Sequence, residues 1–163
     1  MNKAFTKEED GSTPPRLPDL PVSEHPNHVT PRGLAMLQEQ QKVVEAEVGR
    51  LRDNREFLDD LYPLAVAERD LRYVEARLAS AVLVTPPEHA THVSFGAKVT
   101  VEDEDGKTAS YTIVGEDEAQ PEIGLIAAFS PLARALMEAQ VGDIVEWPKP
   151  TGTVELEIID ILF

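Results

Sequence analysis

The sequence predicts an α+β protein, with an antiparallel helical hairpin in its first half and a small, mostly antiparallel sheet with one helix in its second half. Two apolar stripes with heptad spacing run through residues 30–85, and the second is out of phase with the first. Pro63 lies where the phase changes, and a proline there prevents one helix from continuing. From Phe95 onward, apolar residues recur at the period of strands.

Residues 1–29 form a separate segment, because five prolines lie there among charged and small residues. This composition buries too little apolar surface to offset the entropy that ordering costs. It therefore predicts a disordered or extended arm. The alternative is a strap that packs Phe5 or Leu17 against a neighbouring surface.

Residues 30–85 are predicted to form the hairpin. Thr30 followed by Pro31 is typical of a helix start, because the hydroxyl caps free amides and the proline loses no hydrogen bond in the first turn. The first stripe comprises Leu34, Leu37, Gln41, Val44, Val48, Leu51, Arg55 and Leu58, and the second comprises Leu64, Ala67, Leu71, Val74, Leu78 and Ala81. Two helices joined by a short loop pack antiparallel, and the longer one is predicted to extend about 40 Å.

Residues 86–163 are predicted to form the sheet domain. Strands fit residues 98–101, 108–114, 124–129, 143–147 and 153–162. A helix begins at Ser130 and Pro131, has Ala139 on its apolar face and stops near Gly142. The acidic run from Glu102 to Asp105 ends at Gly106 and is typical of a solvated hairpin turn. One α+β core accounts for the whole segment.

The chain is strongly acidic, with a formal net charge of -15. Proteins that hold nucleic acid by its phosphates need clustered lysine and arginine, so the charge predicts a protein partner and no sequence-specific DNA contact. No cysteine is present for a disulfide or a thiolate site, and the histidines form no ligand pattern. Without a signal segment or a membrane-length apolar run, the sequence predicts a cytoplasmic protein, and we expect a monomer.

Several short motifs give the sequence a family resemblance. They are Thr30-Pro31-Arg32-Gly33, Phe95-Gly96-Ala97, Asp105-Gly106, Ile113-Val114-Gly115 with Asp117-Glu118, Ser130-Pro131-Leu132-Ala133-Arg134-Ala135-Leu136 and Val141-Gly142-Asp143. In order and spacing they resemble the Gre family, the transcription elongation and cleavage factors of bacteria. The likeness covers residues 30–163 apart from the turn of the hairpin, and the arm lies outside it.

The resemblance implies a coiled-coil hairpin and a C-terminal domain similar to the FK506-binding-protein (FKBP) fold. It also implies a partner, RNA polymerase. In this family the C-terminal domain holds the rim of the polymerase secondary channel, and the hairpin passes down the channel to the active site. In cleaving members, Asp and Glu lie three apart at the hairpin tip, in a Gly-Asp-x-Ser-Glu-Asn pattern, and help to hold a second magnesium ion of the polymerase.

This sequence departs from the cleaving members in two ways. The Gly-Asp-x-Ser-Glu-Asn pattern is absent, and the hairpin is shorter by about 10 Å, similar in length to Rnk-type relatives. The resemblance therefore implies a polymerase-binding factor that regulates elongation or initiation without transcript cleavage. It would be no enzyme and would have no cofactor or metal of its own, beyond magnesium shared with the polymerase. One alternative is a cleavage factor that uses Asp59 and Asp60, and another, by fold analogy alone, is a peptidyl-prolyl isomerase.

The candidate site residues fall into two groups. Glu56, Asp59 and Asp60 lie at the predicted tip, where carboxylates could reach a metal or a basic loop of the channel; alternatively, they cap and solubilise the turn. The resemblance adds candidate polymerase contacts in the C-terminal domain, namely Asp117, Ser130 and Arg134. For Ser130 the alternative is a cap at the start of a helix.

Overall fold

The structure is a computed structural model that describes residues 13–163. The chain divides into two compact units. The first comprises the described part of Met1–Ser23 together with Gln38–Ala79, and the second comprises Glu24–Leu37 together with Ser80–Phe163. The predicted boundaries after residues 29 and 85 stay predictions, and Phe5 lies outside the described residues.

The first unit contains the predicted hairpin of helices. Helix α1 spans Pro31–Asp53, with residues 38–53 in this unit, and α2 spans Tyr62–Ser80. The buried side chains between the helices are those of Val48, Leu51, Leu64 and Ala67, with Val44, Leu58 and Leu71 packed against them. These residues all belong to the two predicted stripes, so the antiparallel hairpin is confirmed. We call them the seam.

Helix α1 ends five residues earlier than its stripe predicts. The Asn54 side chain donates a hydrogen bond of 2.7 Å to the Arg50 carbonyl oxygen, which occupies one of the free acceptors at the helix end. A short 3-10 turn, Arg55–Phe57, follows. The prediction that Arg55 lies in the helical seam is therefore wrong, and Arg55 is exposed. With 23 residues, α1 is about 34 Å long instead of about 40 Å.

The described part of the arm in this unit, residues 13–23, has no helix or strand. Arg72 of α2 holds it, because its guanidinium donates one hydrogen bond to the Asp19 carboxylate and another, of 2.9 Å, to the Leu17 carbonyl oxygen. The contact to Leu17 is thus made by its backbone. The hydrogen bond from Arg72 also holds the pKa of Asp19 below its usual range.

The second unit is built on a mixed sheet. The strands of this unit are β1 (His28–Val29), β2 (Val82–Leu83), β3 (Lys98–Asp103), β4 (Thr108–Val114), β5 (Leu125–Ala127), β6 (Ile144–Lys149) and β7 (Gly152–Leu162). In the described chain, five of them form one sheet in the order β5-β4-β3-β7-β6, and β1 pairs with β2 separately. The β4–β5 pair is parallel and the other pairs of the larger sheet are antiparallel. The α+β class is confirmed.

Helix α3, Pro131–Leu136, covers the core of this sheet. The buried core comprises Val93, Ala97, Val99, Val101, Ile113, Ile126, Leu132, Ala133, Leu136, Leu156 and Ile158. The helix is shorter than the sequence predicts, because Met137 leaves the helical conformation and Glu138 has a positive φ of 65°. Ala139 therefore lies beyond the helix, although it still packs against the core.

The acidic turn between β3 and β4 is closed by one of its own carboxylates. Asp103 Oδ1 accepts hydrogen bonds of 2.9 Å from the backbone amides of Asp105 and Lys107. Gly106 has a φ of 78°, the left-handed conformation that such a turn requires. Within residues 13–163, no helix is long and apolar enough to span a bilayer.

Candidate functional site

The connection between the two hairpin helices, residues 54–61, is the first candidate site; we call it the tip. Its conformation is fixed by local bonds. The Phe57 amide donates to the Asn54 carbonyl oxygen at 2.9 Å, and the Leu58 amide donates to that of Arg55 at 3.3 Å. Leu58, a member of the seam, packs against its buried side chains and so attaches the tip to the apolar contact between the helices.

The tip brings the three predicted carboxylates, Glu56, Asp59 and Asp60, to one short connection. Glu56 lies on the 3-10 turn, and Asp59 and Asp60 follow it without regular structure; all three are exposed. Asp60 Oδ1 accepts a hydrogen bond of 2.9 Å from the Tyr62 amide, so this carboxylate occupies a free amide of the first turn of α2. Among the described residues, no hydrogen bond or ion pair occupies the Asp59 carboxylate.

Two aromatic side chains are exposed at this end of the hairpin, one in the tip and one at the first residue of α2. Phe57 is 84% exposed and Tyr62 is 53% exposed. Sequence reasoning did not single out Phe57. One signal in the sequence indicated that Phe57 is exposed. Leu58 continues the apolar stripe, so the side chain just before it is expected to point away from the seam.

The start of α1, in the second unit, is held by a buried carboxylate. Thr30 Oγ1 accepts a hydrogen bond of 2.9 Å from the Gly33 amide, which confirms the predicted cap. The same hydroxyl donates to Glu118 Oε2 at 2.6 Å, and Arg32 Nη1 donates to Glu118 Oε1 at 3.2 Å. Glu118 is only 4% exposed.

Gly33 is explained by this same contact. A Cβ atom at Gly33 would lie 2.7 Å from Glu118 Oε2, closer than real Cβ contacts allow. The carboxylate of Glu118, 88 residues away from Thr30 in the sequence, therefore explains both the hydroxyl at Thr30 and the glycine at Gly33. The family resemblance includes Glu118, but sequence reasoning missed its contacts with Thr30 and Arg32, because they join distant parts of the chain.

The predicted contacts of the C-terminal domain lie on two elements. Asp117 is half-buried on the 3-10 turn Glu116–Glu118. Ser130 is the cap of α3, where its Oγ accepts a hydrogen bond of 3.2 Å from the Ala133 amide. Arg134 lies one turn later on the same helix and is exposed. Ser130 thus has a structural role, and Arg134 has the exposure that a contact to a partner needs.

The tip and the residues beside it are acidic. At the tip and the residues beside it, from 52 to 62, four carboxylates accompany two arginines. Arg52 makes an ion pair of 2.8 Å with Glu68 of α2, so its charge is already compensated. Of the described residues, no group of three or more side chains has the arrangement of a metal site.

The chain was compared with known proteins. A model of the family "Transcription elongation factor, GreA/GreB, C-term" matches residues 88–163. The transcription elongation factor GreA of Alkalilimnicola ehrlichii is 37% identical over 127 residues, which cover 76% of this chain and 80% of the relative. That of Nautilia profundicola is 40% identical over 119 residues, covering 72% and 74%.

Among solved structures, GreA factor homolog 1 of Thermus thermophilus is similar with a TM-score of 0.41 and 23% identity, covering 85% of this chain and all of that one. The sequence relatives carry the assignment, because they exceed a third in identity over most of both chains. The chain belongs to the GreA/GreB family of transcription elongation factors.

Proposed function

We propose that this protein binds RNA polymerase and regulates transcription by inserting its helical hairpin into the secondary channel, with the sheet unit holding the channel rim. Family membership supports the partner, because the relatives are transcription elongation factors. The observation that carries the proposal is the hairpin itself, an antiparallel pair of helices whose connection exposes three carboxylates.

The proposed effect is regulation of elongation or initiation without stimulation of transcript cleavage. Two-metal chemistry needs carboxylate oxygens that are free to bind a hard cation. At this tip, Asp60 is engaged with the Tyr62 amide, and Glu56 lies on a separate 3-10 turn. The Gly-Asp-x-Ser-Glu-Asn pattern of cleaving members is absent from the sequence. The protein would then act as a ligand of the polymerase and hold no metal of its own.

Binding and insertion can be tested with site-specific crosslinking, because the chain contains no cysteine. A crosslinker on Asp59→Cys should attach to the polymerase near its active site, and one on Lys149→Cys, at an exposed position of the sheet unit, should attach elsewhere. Co-elution of the full chain with core polymerase provides the binding measurement. Absence of co-elution would reject the proposed function.

A second candidate function is transcript cleavage with Asp59 as the main contributor. The exposed and uncompensated carboxylate of Asp59, among the described residues, favours it. The test is a polymerase stalled in a backtracked complex. The first proposal predicts no shortening of the RNA from its 3′ end when the protein is added.

Shortening that disappears in the variant Asp59→Ala plus Asp60→Ala would instead establish cleavage. The matched control is Glu45→Ala plus Glu75→Ala, which removes the same charge from exposed positions on the hairpin helices. Activity lost in both variants would point to the net charge of the hairpin, and not to the tip.

A further inference from the structure

The tip of the hairpin exposes more aromatic surface than its fold requires. Phe57 is the most exposed of the large hydrophobic residues in residues 13–163, at 84%, and the next values are 66% for Ile123 and Ile144. Single exposed apolar residues are ordinary on protein surfaces. Phe57, however, shares the turn region with Tyr62, which is 53% exposed, so two aromatic side chains lie at the same end of the hairpin.

Phe57 is held in this exposed position by the local backbone. The 3-10 turn Arg55–Phe57 is closed by the hydrogen bonds of the Phe57 and Leu58 amides. Leu58, and not Phe57, is the residue of this connection that packs against the buried side chains between the helices. Phe57 therefore contributes nothing to the apolar contact between the helices, and a polar residue would serve the fold equally well.

The surroundings of Phe57 indicate what kind of surface it fits. Glu56, Asp59 and Asp60 flank it along the chain, are exposed, and outnumber the one exposed cation of the tip, Arg55. These carboxylates repel the phosphates of RNA and DNA, which disfavours stacking on a nucleobase. Protein interfaces typically have a desolvated centre in which aromatic side chains are enriched, surrounded by a polar rim, and an aromatic ring with polar neighbours fits that arrangement.

We propose that Phe57 is the apolar anchor of the tip and inserts into an apolar pocket of RNA polymerase whose rim is basic. This inference rests on the proposed function and adds a binding residue and the chemistry of its partner surface. The flanking carboxylates would steer the approach and fix the register, and the aromatic ring would contribute more to the affinity than any other side chain of the tip.

The test measures affinity of the full chain for core polymerase by fluorescence anisotropy, with a fluorophore on Lys149→Cys. Phe57→Ala should weaken binding by about 30-fold, whereas Phe57→Leu should weaken it by about fivefold or less because it keeps an apolar side chain. The matched control is Val43→Ala, since Val43 is 60% exposed on α1 and lies away from the tip. It should bind as the original chain does. Thermal unfolding of each variant checks that the fold is intact.

A photo-crosslinking amino acid at position 57 identifies the occupant. The proposal expects the adduct on a polymerase polypeptide, in a segment with apolar and basic residues. Adducts on RNA, on DNA or on a second copy of this chain would overturn it, as would Phe57→Ala binding within about twofold of the original chain. These failures differ from that of the proposed function, in which the original chain does not bind polymerase at all.

Discussion

The hairpin and the sheet bury side chains of the same kind, but in different numbers. Among residues 13–163, the apolar cluster in the seam contains four buried side chains, whereas the cluster between the sheet and α3 contains eleven. A narrow seam leaves most of each helix surface to water, so the hairpin can vary its exposed residues at little cost to the fold. A thick core fixes most of its residues, and the family motifs of the second half lie in and around it.

This difference explains where the two regions put their candidate functional residues. At the tip, Phe57 and Asp59 are exposed and have no role in a core, so contact with a partner can determine which side chains stand there. In the sheet unit, Ser130 caps a helix and Glu118 holds the start of another, so residues of the family motifs serve the fold first. We expect substitutions at the tip to change binding and substitutions in the sheet unit to change stability.

The largest expected effect comes from one leucine in each region. Leu136 is 0% exposed among many core neighbours, and Leu64 is 1% exposed in the seam. Replacing either by alanine removes the same atoms, but the half-buried residues beside the seam can close over the gap more easily. Leu136→Ala should lower the free energy of unfolding by about 4 kcal/mol and Leu64→Ala by about 2 kcal/mol.

Urea unfolding measures both changes, with Trp147, the single tryptophan, as the fluorescent reporter for the sheet and circular dichroism for the helices. The control is Ile123→Ala, since Ile123 is exposed and should cost less than about 0.5 kcal/mol. Equal losses for the two leucines would contradict the distinction between a narrow seam and a thick core.

The next effect concerns Glu118, the buried carboxylate at the start of α1. Glu118→Ala leaves the Thr30 hydroxyl without its acceptor and removes the partner of Arg32. We expect a loss of about 1–3 kcal/mol in the free energy of unfolding, because the site is buried. The control is Glu122→Ala at an exposed position. If both variants were equally stable, the motif from Thr30 to Gly33 would need another explanation.

The sequence predicted what depends on local pattern. Heptad stripes gave the two helices, Pro63 marked the chain reversal, and alternating residues gave the main strands, because each of these follows from periods of a few residues. The cap at Thr30 and the cap at Ser130 were predictable for the same reason. The family resemblance predicted RNA polymerase as the partner, which no local pattern contains.

The sequence did not predict what depends on distant contacts or on an interrupted period. Arg55 and Leu58 continue the heptad spacing, although the helix has already ended at Asp53. The parallel pairing of β5 with β4 and the approach of Glu118 to Thr30 join parts of the chain that no short window contains. The exposure of Phe57 follows from the 3-10 turn, and so it was missed with that turn.

A smaller effect separates the two candidate contacts on α3. Ser130→Ala removes the hydrogen bond to the Ala133 amide and should lower the free energy of unfolding by about 1 kcal/mol. Arg134→Ala changes an exposed side chain and should leave stability within about 0.5 kcal/mol. If Arg134 contacts the polymerase, only this second variant should weaken binding at unchanged stability. The opposite result would assign the contact to Ser130.

The smallest effect concerns the arm, which α2 holds through Arg72. The hydrogen bond from Arg72 lowers the pKa of Asp19, so the folded protein favours the ionised carboxylate. A lowered pKa means that the contact is fully present above the ordinary value of about 4 and is lost as the pH falls through the lowered one.

Hydrogen exchange of residues 13–23 should therefore stay constant between about pH 7 and 5 after correction for the intrinsic rate, and Asp19→Asn should raise it throughout. Glu47→Gln is the control, because the pKa of Glu47 is also lowered, by its hydrogen bond with Arg50 on the same helix. Equal exchange in all three proteins would show that Arg72 does not hold the arm in solution.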